Sequence, residues 1–177
     1  MSAPNVAQRH AARLAAVQAL YQMDVAGKGL IDALAEFEAF WIGREVEGIS
    51  FQPAETEFFR SILQGVVAEQ RAIDARLDGA LSASWPLTRV ETVLRAILRA
   101  GAYELLYRPD VPARVAISEY VDVAHGFYSA DEPGLVNAVL DAIAREARAA
   151  ELADRGGGGR APAPRKRKRK PAARSSE

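Results

Sequence analysis

The stretch TRVETVLRAILRAGAYELLY, residues 88–107, is the most apolar part of the chain. Its large apolar side chains recur at helical spacing and cover more than one face of the helix that they predict. Ala96, Ala100, Gly101 and Ala102 keep part of this helix thin. A thin helix that is apolar almost all round belongs at the centre of a bundle, where neighbouring helices cross it closely. The stretch therefore predicts an all-α fold built around residues 88–107.

The rest of the chain repeats the same helical spacing. It predicts further helices over residues 5–26, 30–41, 53–81, 115–128 and 131–152. The helix that opens at Pro53 either continues through Gly65 or breaks there, and residues 43–53 are predicted to form a loop. Asp131 is predicted to cap the last helix, and Asn137 to satisfy backbone groups inside it. No alternating pattern typical of a strand appears.

The charges of the chain are divided unevenly between two segments. Residues 156–177 hold eight basic residues and one acidic residue, a net charge of +7, whereas residues 1–155 carry −7. The last segment has no apolar periodicity and begins with four glycines, which is typical of a flexible tail. We expect one helical domain over residues 1–155, with sub-bundles at about 1–82 and 83–155, followed by a basic tail over 156–177. A basic tail on an acidic domain is typical of contact with a polyanion.

Several classes of function find no support in the sequence. The chain has no cysteine, which excludes a disulfide framework and thiolate chemistry. The two histidines, His10 and His125, do not have the spacing of metal ligands, and the carboxylates form no singular pair. The N-terminus lacks the apolar core of a signal peptide, and no run is long enough to span a membrane. We therefore expect a cytoplasmic protein that is not an enzyme and has no cofactor, metal or membrane contact.

Two arginine pairs lie four residues apart, so that each pair shares one face of a helix. Arg9 and Arg13 flank the apolar stripe of the first helix, where they either span neighbouring phosphates or form a solvated face. Arg95 and Arg99 lie on the central helix, where they are predicted to neutralise acidic side chains or to cover the core.

Three stretches occur in a recognisable order and spacing. They are AAVQALYQMD (15–24), WPLTRVETVLRAILRAGAYELLYRPDVPARVAISEYVDVAH (85–125) and FYSADEPGLVNAVLDAIA (127–144). Together they resemble the NusB family of transcription antitermination factors over most of residues 9–147. The NusB-like domain at the front of certain ribosomal RNA methyltransferases is similar too, but no methyltransferase domain follows these stretches here.

The resemblance implies two packed bundles of three helices each. It also implies a function: with ribosomal protein NusE, the protein would bind the single-stranded boxA element of nascent RNA. This assembly would help RNA polymerase to resist termination, above all on ribosomal RNA operons. A non-catalytic protein–protein scaffold without specific RNA binding is the alternative.

The resemblance also implies roles for particular residues. The arginine-rich start of the family maps onto residues 8–13, where Arg9, His10 and Arg13 are expected to contact RNA in a version with fewer arginines. From the residues alone, His10 is instead a partly buried packing or hydrogen-bonding residue. Further RNA contacts of the family fall on Asp131 and Leu135. Tyr21 matches a tyrosine of the NusE contact, although it also fits the apolar stripe as a core residue.

The basic run of the tail has no aromatic residue that could stack on bases and no fixed geometry that could read base edges. It can still contact phosphates and raise encounter rates, so we expect nonspecific RNA contact from it. The alternative is a tail that only keeps the protein soluble. The residues of this run are Arg165, Lys166, Arg167, Lys168, Arg169 and Lys170.

Overall fold

The computed structural model describes residues 6–40, 45–46, 49–50 and 53–154, most of which lie in helices. The α-helices in chain order are α1 (Val6–Ala26), α2 (Leu30–Phe40), α3 (Pro53–Ala80), α4 (Thr92–Tyr107), α5 (Ala113–Phe127), α6 (Glu132–Ala147) and α7 (Ala149–Asp154). Two short strands, β1 (Glu45–Val46) and β2 (Ile49–Ser50), lie between α2 and α3. The all-α prediction is therefore confirmed.

Helix α4 is the centre of the fold, as its sequence predicts. It packs against α1, α3, α5 and α6. Its backbone approaches two of them so closely that a methyl group at Gly101 would lie 2.6 Å from Leu140 of α6 and 3.3 Å from Tyr120 of α5. The small residues of α4 are therefore needed for the close helix crossings.

The start of α4 differs from the prediction. The helix begins at Thr92 rather than Thr88, and residues 87–89 form a separate 3₁₀ turn. The Glu91 carboxylate accepts hydrogen bonds from the backbone N–H groups of Val93 and Leu94, which fixes the first turn of α4. The Glu91 cap separates α4 from the 3₁₀ turn before it. The apolar spacing continues through residue 91, so it does not show where the helix begins.

Helix α3 runs without a break through Gly65, which settles the alternative left open by its sequence. A methyl group at Gly65 would lie only 2.0 Å from the ring of Tyr103 on α4. The glycine makes room for this ring between the two helices and does not interrupt the helix.

The predicted loop over residues 43–53 contains a short antiparallel pairing. Residue Glu45 pairs with Ser50, and Val46 pairs with Ile49. Strands of two residues are too short to show an alternating pattern, so the sequence gives no sign of them.

Two details of α6 also differ from the predictions. Asp131 precedes α6, but its backbone is already helical and its side chain makes no capping hydrogen bond. Asn137 is exposed rather than an interior anchor. The predicted last helix is divided, because α6 ends at Ala147 and α7 begins at Ala149.

The buried apolar side chains form one cluster that includes residues from both predicted sub-bundles, such as Phe37, Phe59, Ile97 and Leu140. The division at residues 82 and 83 therefore stays a prediction. Residues 155–177 lie outside the described part of the chain, and the predicted tail with them.

Candidate nucleic-acid and partner interface

Arg13 lies in the interior of the protein and is not free to contact a phosphate. Only 2% of its side chain is exposed, and its Nε and Nη2 groups each donate a hydrogen bond of 2.9 Å to the Glu104 carboxylate of α4. Its Nη1 group lies 3.4 Å from Glu119 of α5. The expectation that Arg9 and Arg13 present one exposed arginine face does not fit this burial. Arg13 instead joins α1 to α4 and α5.

The Glu104 carboxylate is fully buried and holds two partners. Besides Arg13, it accepts a hydrogen bond from the Tyr120 hydroxyl of α5. Burial lowers the pKa of the Arg13 guanidinium, but the hydrogen bonds and charge of Glu104 outweigh it and raise the pKa. Burial and the charge of Glu104 also raise the pKa of Tyr120 far above its usual value. Arg13 therefore stays charged and Tyr120 stays protonated at physiological pH.

Arg9 has the surroundings of a group that is available to a ligand. Its guanidinium lies 4.6 Å from the centre of the Phe58 ring of α3. No carboxylate of the described residues lies within ion-pair distance of it. The same ring is approached by the guanidinium groups of Arg13 at 5.0 Å and Arg108 at 5.1 Å. This stacking holds the Arg9 head group in place without neutralising its charge.

Arg108 joins the Phe58 cluster from the loop after α4. Its guanidinium donates hydrogen bonds of 2.9 Å to Asp110 and one of 2.6 Å to the Ser61 hydroxyl. The hydrogen bonds from Arg108 hold the pKa of Asp110 below its usual value. The charge of Arg108 is therefore balanced by Asp110, whose pKa the charge of Arg9 also lowers. Arg9 is the arginine of the cluster that has no carboxylate within ion-pair distance among the described residues.

His10 lies beside Arg9 and is partly exposed. Its Nδ1 atom is 2.7 Å from Glu119 Oε2, and 36% of its side chain is accessible. This hydrogen bond agrees with the expectation drawn from the residues alone. Since the ring is also open to solvent, an RNA contact stays a prediction.

A cleft of about 190 Å³ lies in front of Arg9, between the start of α1 and the loop that leads into α5. Its charged groups are Arg9, Glu119 and the buried Arg13, which is bound to Glu104. Its lining residues are Val6, Arg9, Arg13, Val111, Pro112, Val115 and Glu119.

Asp131 and Leu135 lie far from this cleft along α5. The chain runs about 12 Å along that helix from Glu119 to its end before it turns into α6. Asp131 is exposed, and Leu135 is half-buried against the core. The structure thus brings Arg9, His10 and Arg13 together but not these two.

Tyr21 lines an apolar groove on the other half of α1. It is 36% exposed, and Phe127 at the end of α5 is 42% exposed beside it. This exposure decides against the alternative of Tyr21 as a core residue. The groove has a volume of about 370 Å³ and is lined by Val17, Gln18, Tyr21, Gln22, Val93 and Phe127.

The arginines of the central helix are bound to acidic side chains, as predicted. Arg95 lies 2.7 Å from Asp24 of α1, and Arg99 lies 2.8 Å from Asp74 of α3. Both are therefore structural ion pairs rather than free cations.

Four residues that shape these surfaces are not predicted from the sequence: Phe58, Glu104, Glu119 and Phe127. Glu104 could have been found from the sequence, because it is a carboxylate in the most apolar helix and such a group needs a buried partner. The other three could not, because their importance depends on contacts between helices that are distant in sequence.

Two further classes of site can be tested against residues 6–40, 45–46, 49–50 and 53–154. None of the helices there is long and apolar enough to cross a membrane. No group of three or more histidine and acidic side chains in these ranges could hold a metal ion.

Comparison with known proteins identifies the family. The model of the NusB family matches residues 10–145. The chain belongs to the NusB family. Among its relatives is the transcription antitermination protein NusB of Rhodopseudomonas palustris strain TIE-1, which is 61% identical over 145 residues, or 82% of this chain and 83% of the relative. The protein of the same name from a Bradyrhizobium strain (BTAi1) is 62% identical over 145 residues, covering 82% and 86%.

Solved structures of NusB proteins have the same fold. T. maritima NusB superimposes with a TM-score of 0.69 at 28% identity, over 86% of this chain and 99% of that protein. A chain of a crystal structure of the antitermination factors NusB and NusE in complex with double-stranded RNA gives a TM-score of 0.66 at 25% identity, over 80% and 99%. The resemblance read from three stretches of sequence is thus confirmed.

Proposed function

We propose that this protein is a transcription antitermination factor that binds boxA-type RNA together with ribosomal protein NusE. The observation that carries the proposal is the identity of about 61% to relatives named transcription antitermination protein NusB. The similar chain that was solved with NusE and RNA supports both partners. The assembly would act on RNA polymerase during ribosomal RNA transcription, in the cytoplasm, and without catalysis.

The RNA contact is assigned to Arg9 and His10 at the cleft. Arg9 has an unneutralised guanidinium that is already held in position by Phe58. A pre-positioned cation loses little freedom when a phosphate binds, so that more of the interaction energy remains for binding. Arg13 acts through the α1–α4–α5 contact and not on the RNA. Asp131 and Leu135 would contact a later part of the strand.

The NusE contact is assigned to the groove around Tyr21. An exposed tyrosine and an exposed phenylalanine beside a groove are typical of a protein interface, because both rings bury a large area with few rotatable bonds. This groove alone would also suit the alternative of a scaffold without RNA binding. The two functions differ in whether Arg9 contacts RNA.

An RNA-binding measurement separates them. We expect Arg9→Gln in the full chain to weaken binding of boxA RNA and to reduce the slope of log affinity against log salt by about 0.7, the value for one phosphate contact on a single strand. Arg71→Gln, at an exposed position of α3, removes the same charge as a control. Wild-type protein that binds boxA no better than a scrambled RNA, with or without NusE, would leave the scaffold as the function.

A further inference from the structure

A groove between α5 and α6 has no role in the functions described above. Its volume is about 310 Å³, which is at the lower end of the range for ligand sites, roughly 300 to 1,000 Å³. It is lined by Arg114, Ile117, Ser118, Val121, Asn137 and Asp141. The apolar side chains of Ile117 and Val121 form part of its wall, and polar groups from both helices surround them.

The polar groups of this groove are available to a ligand. Arg114 is exposed, and no carboxylate of the described residues lies within ion-pair distance of it. The exposed side chains of Ser118 and Asn137 have no hydrogen-bond partner within the same residues. Asp141 is 2.6 Å from Arg145 on its own helix, which offsets its charge. The groove thus offers one cation without an ion pair among the described residues, one amide, one hydroxyl and the Asp141 carboxylate paired with Arg145, beside an apolar surface.

The groove lies next to the cleft of Arg9 along the start of α5. Pro112 lines that cleft and also a small depression at the start of α5, together with Arg114, Glu151 and Leu152. Arg114 in turn lines the groove between α5 and α6. Shared lining residues therefore mark a path from Arg9 along the beginning of α5 to Asn137. The groove around Tyr21 shares no lining residue with this path.

We propose that the α5–α6 groove binds one nucleotide of the same single-stranded RNA that contacts Arg9. Arg114 contacts its phosphate, Ile117 and Val121 contact one face of its base, and Asn137 forms hydrogen bonds with the base edge. A nucleotide combines an anion, a flat apolar face and an edge of donors and acceptors, which are the features that these groups complement. This inference rests on the proposed RNA-binding function.

Two substitutions in the full chain separate the roles. Arg114→Gln is expected to reduce the salt slope of boxA binding by about 0.7. Asn137→Ala is expected to weaken boxA binding by roughly five- to tenfold and to leave the salt slope unchanged, because it removes a base contact and no charge. Arg71→Gln and Gln64→Ala, both at exposed positions of α3, are the matched controls and should bind as the wild type does.

Nuclear magnetic resonance of the Asn137 side-chain amide provides the second measurement. Its signals are identified by their loss in Asn137→Ala. We expect boxA RNA to shift them and inorganic polyphosphate not to, since polyphosphate has no base. Wild-type affinity in both groove variants would overturn the proposal, and so would amide signals that move with NusE but not with RNA. A wild-type protein that does not bind boxA at all would instead remove the proposed function itself.

Discussion

Arg13 and Glu104 place two opposite charges in the core, where each is satisfied only by the other and by its neighbours. We expect Glu104→Gln to lower the free energy of unfolding by about 3–5 kcal/mol, because the Arg13 charge then stays buried without a compensating anion. Urea unfolding followed by circular dichroism measures this loss. Glu146→Gln removes a carboxylate from an exposed pair with Arg76 and should cost less than about 1 kcal/mol.

Equal losses in the two variants would show that the buried pair contributes no more than an exposed one. The triple variant Arg13→Met, Glu104→Leu, Tyr120→Phe provides a further check. It replaces both charges and the hydroxyl that is bound to Glu104 by apolar groups, and should recover much of the stability lost in Glu104→Gln. RNA binding by an Arg13 variant then has to be compared with that of the wild type at equal concentrations of folded protein, because the substitution lowers stability.

The spacing of residues 9 and 13 correctly places both arginines on one side of α1, but it cannot tell which of them is buried. Arg13 is buried because it binds Glu104, and Glu104 lies 91 residues further along the chain, beyond the reach of local spacing. The exposed aromatic pair of Tyr21 and Phe127 is equally invisible before α1 and α5 are packed together. Local spacing predicts the side of a helix, whereas tertiary contacts decide which group is free.

At the scale of the elements, the contact between α3 and α4 depends on Gly65. We expect Gly65→Ala to destabilise the protein by about 1–3 kcal/mol, since the added methyl group would overlap the Tyr103 ring and force the two helices apart. Gly79→Ala is the matched control in the same helix. The space around Gly79 is open, so alanine should stabilise the protein by up to about 1 kcal/mol through its better helix propensity.

Thermal unfolding of both glycine variants measures the two effects, which should have opposite signs. Stabilisation by both would mean that the Tyr103 ring can move aside at little cost.

From the sequence, Gly65 is compatible with either a break or a continuous helix. Nothing in the neighbouring residues indicates that the Tyr103 ring packs over this glycine. The sequence located α4 correctly because nearly every face of that helix is apolar, but it missed the Glu91 cap, which acts over three residues.

At the scale of the whole molecule, the last described helix, α7, lies next to the Arg9 cleft. Helix α7 is attached there, because Glu151 accepts a hydrogen bond from the backbone of Ala113 and Arg148 donates one to the carbonyl of Val111. Val111 also lines the cleft. Residues 156–177 have a net charge of +7 and follow α7 in the sequence, so the prediction that they contact RNA concerns the RNA bound at this cleft.

Truncation after Arg155 tests the role of the tail. We expect an unchanged unfolding midpoint, since the sequence of the removed residues has no apolar periodicity that could contribute to a core. The salt slope of RNA binding should decrease by about 0.7 for each phosphate contact that is lost. The preference for boxA over a scrambled RNA should remain. A truncated protein without that preference would place sequence recognition in the tail and not in the helical domain.

The negative charge of residues 1–155 bears on how this protein and NusE bind RNA together. Residues 1–155 carry a net charge of −7, which opposes the approach of a polyanion, and Arg9 is the free cation of the cluster around Phe58. A basic ribosomal protein bound at the groove of Tyr21 would offset this charge and extend the surface available to RNA. We therefore expect NusE to tighten boxA binding, within the usual range of couplings between sites, roughly 5- to 150-fold.

By thermodynamic linkage, boxA RNA must then tighten NusE binding by the same factor. Calorimetric titration of NusE into the full chain, with and without boxA RNA, measures it directly. Tyr21→Ala should weaken the NusE titration and leave the binding of RNA to the protein alone unchanged, because the ring lies outside the path from Arg9 to Asn137. If NusE bound equally well with and without RNA, the two partners would occupy the protein independently. The acidic domain would then have to bind boxA without help from NusE, through Arg9, the α5–α6 groove and the tail.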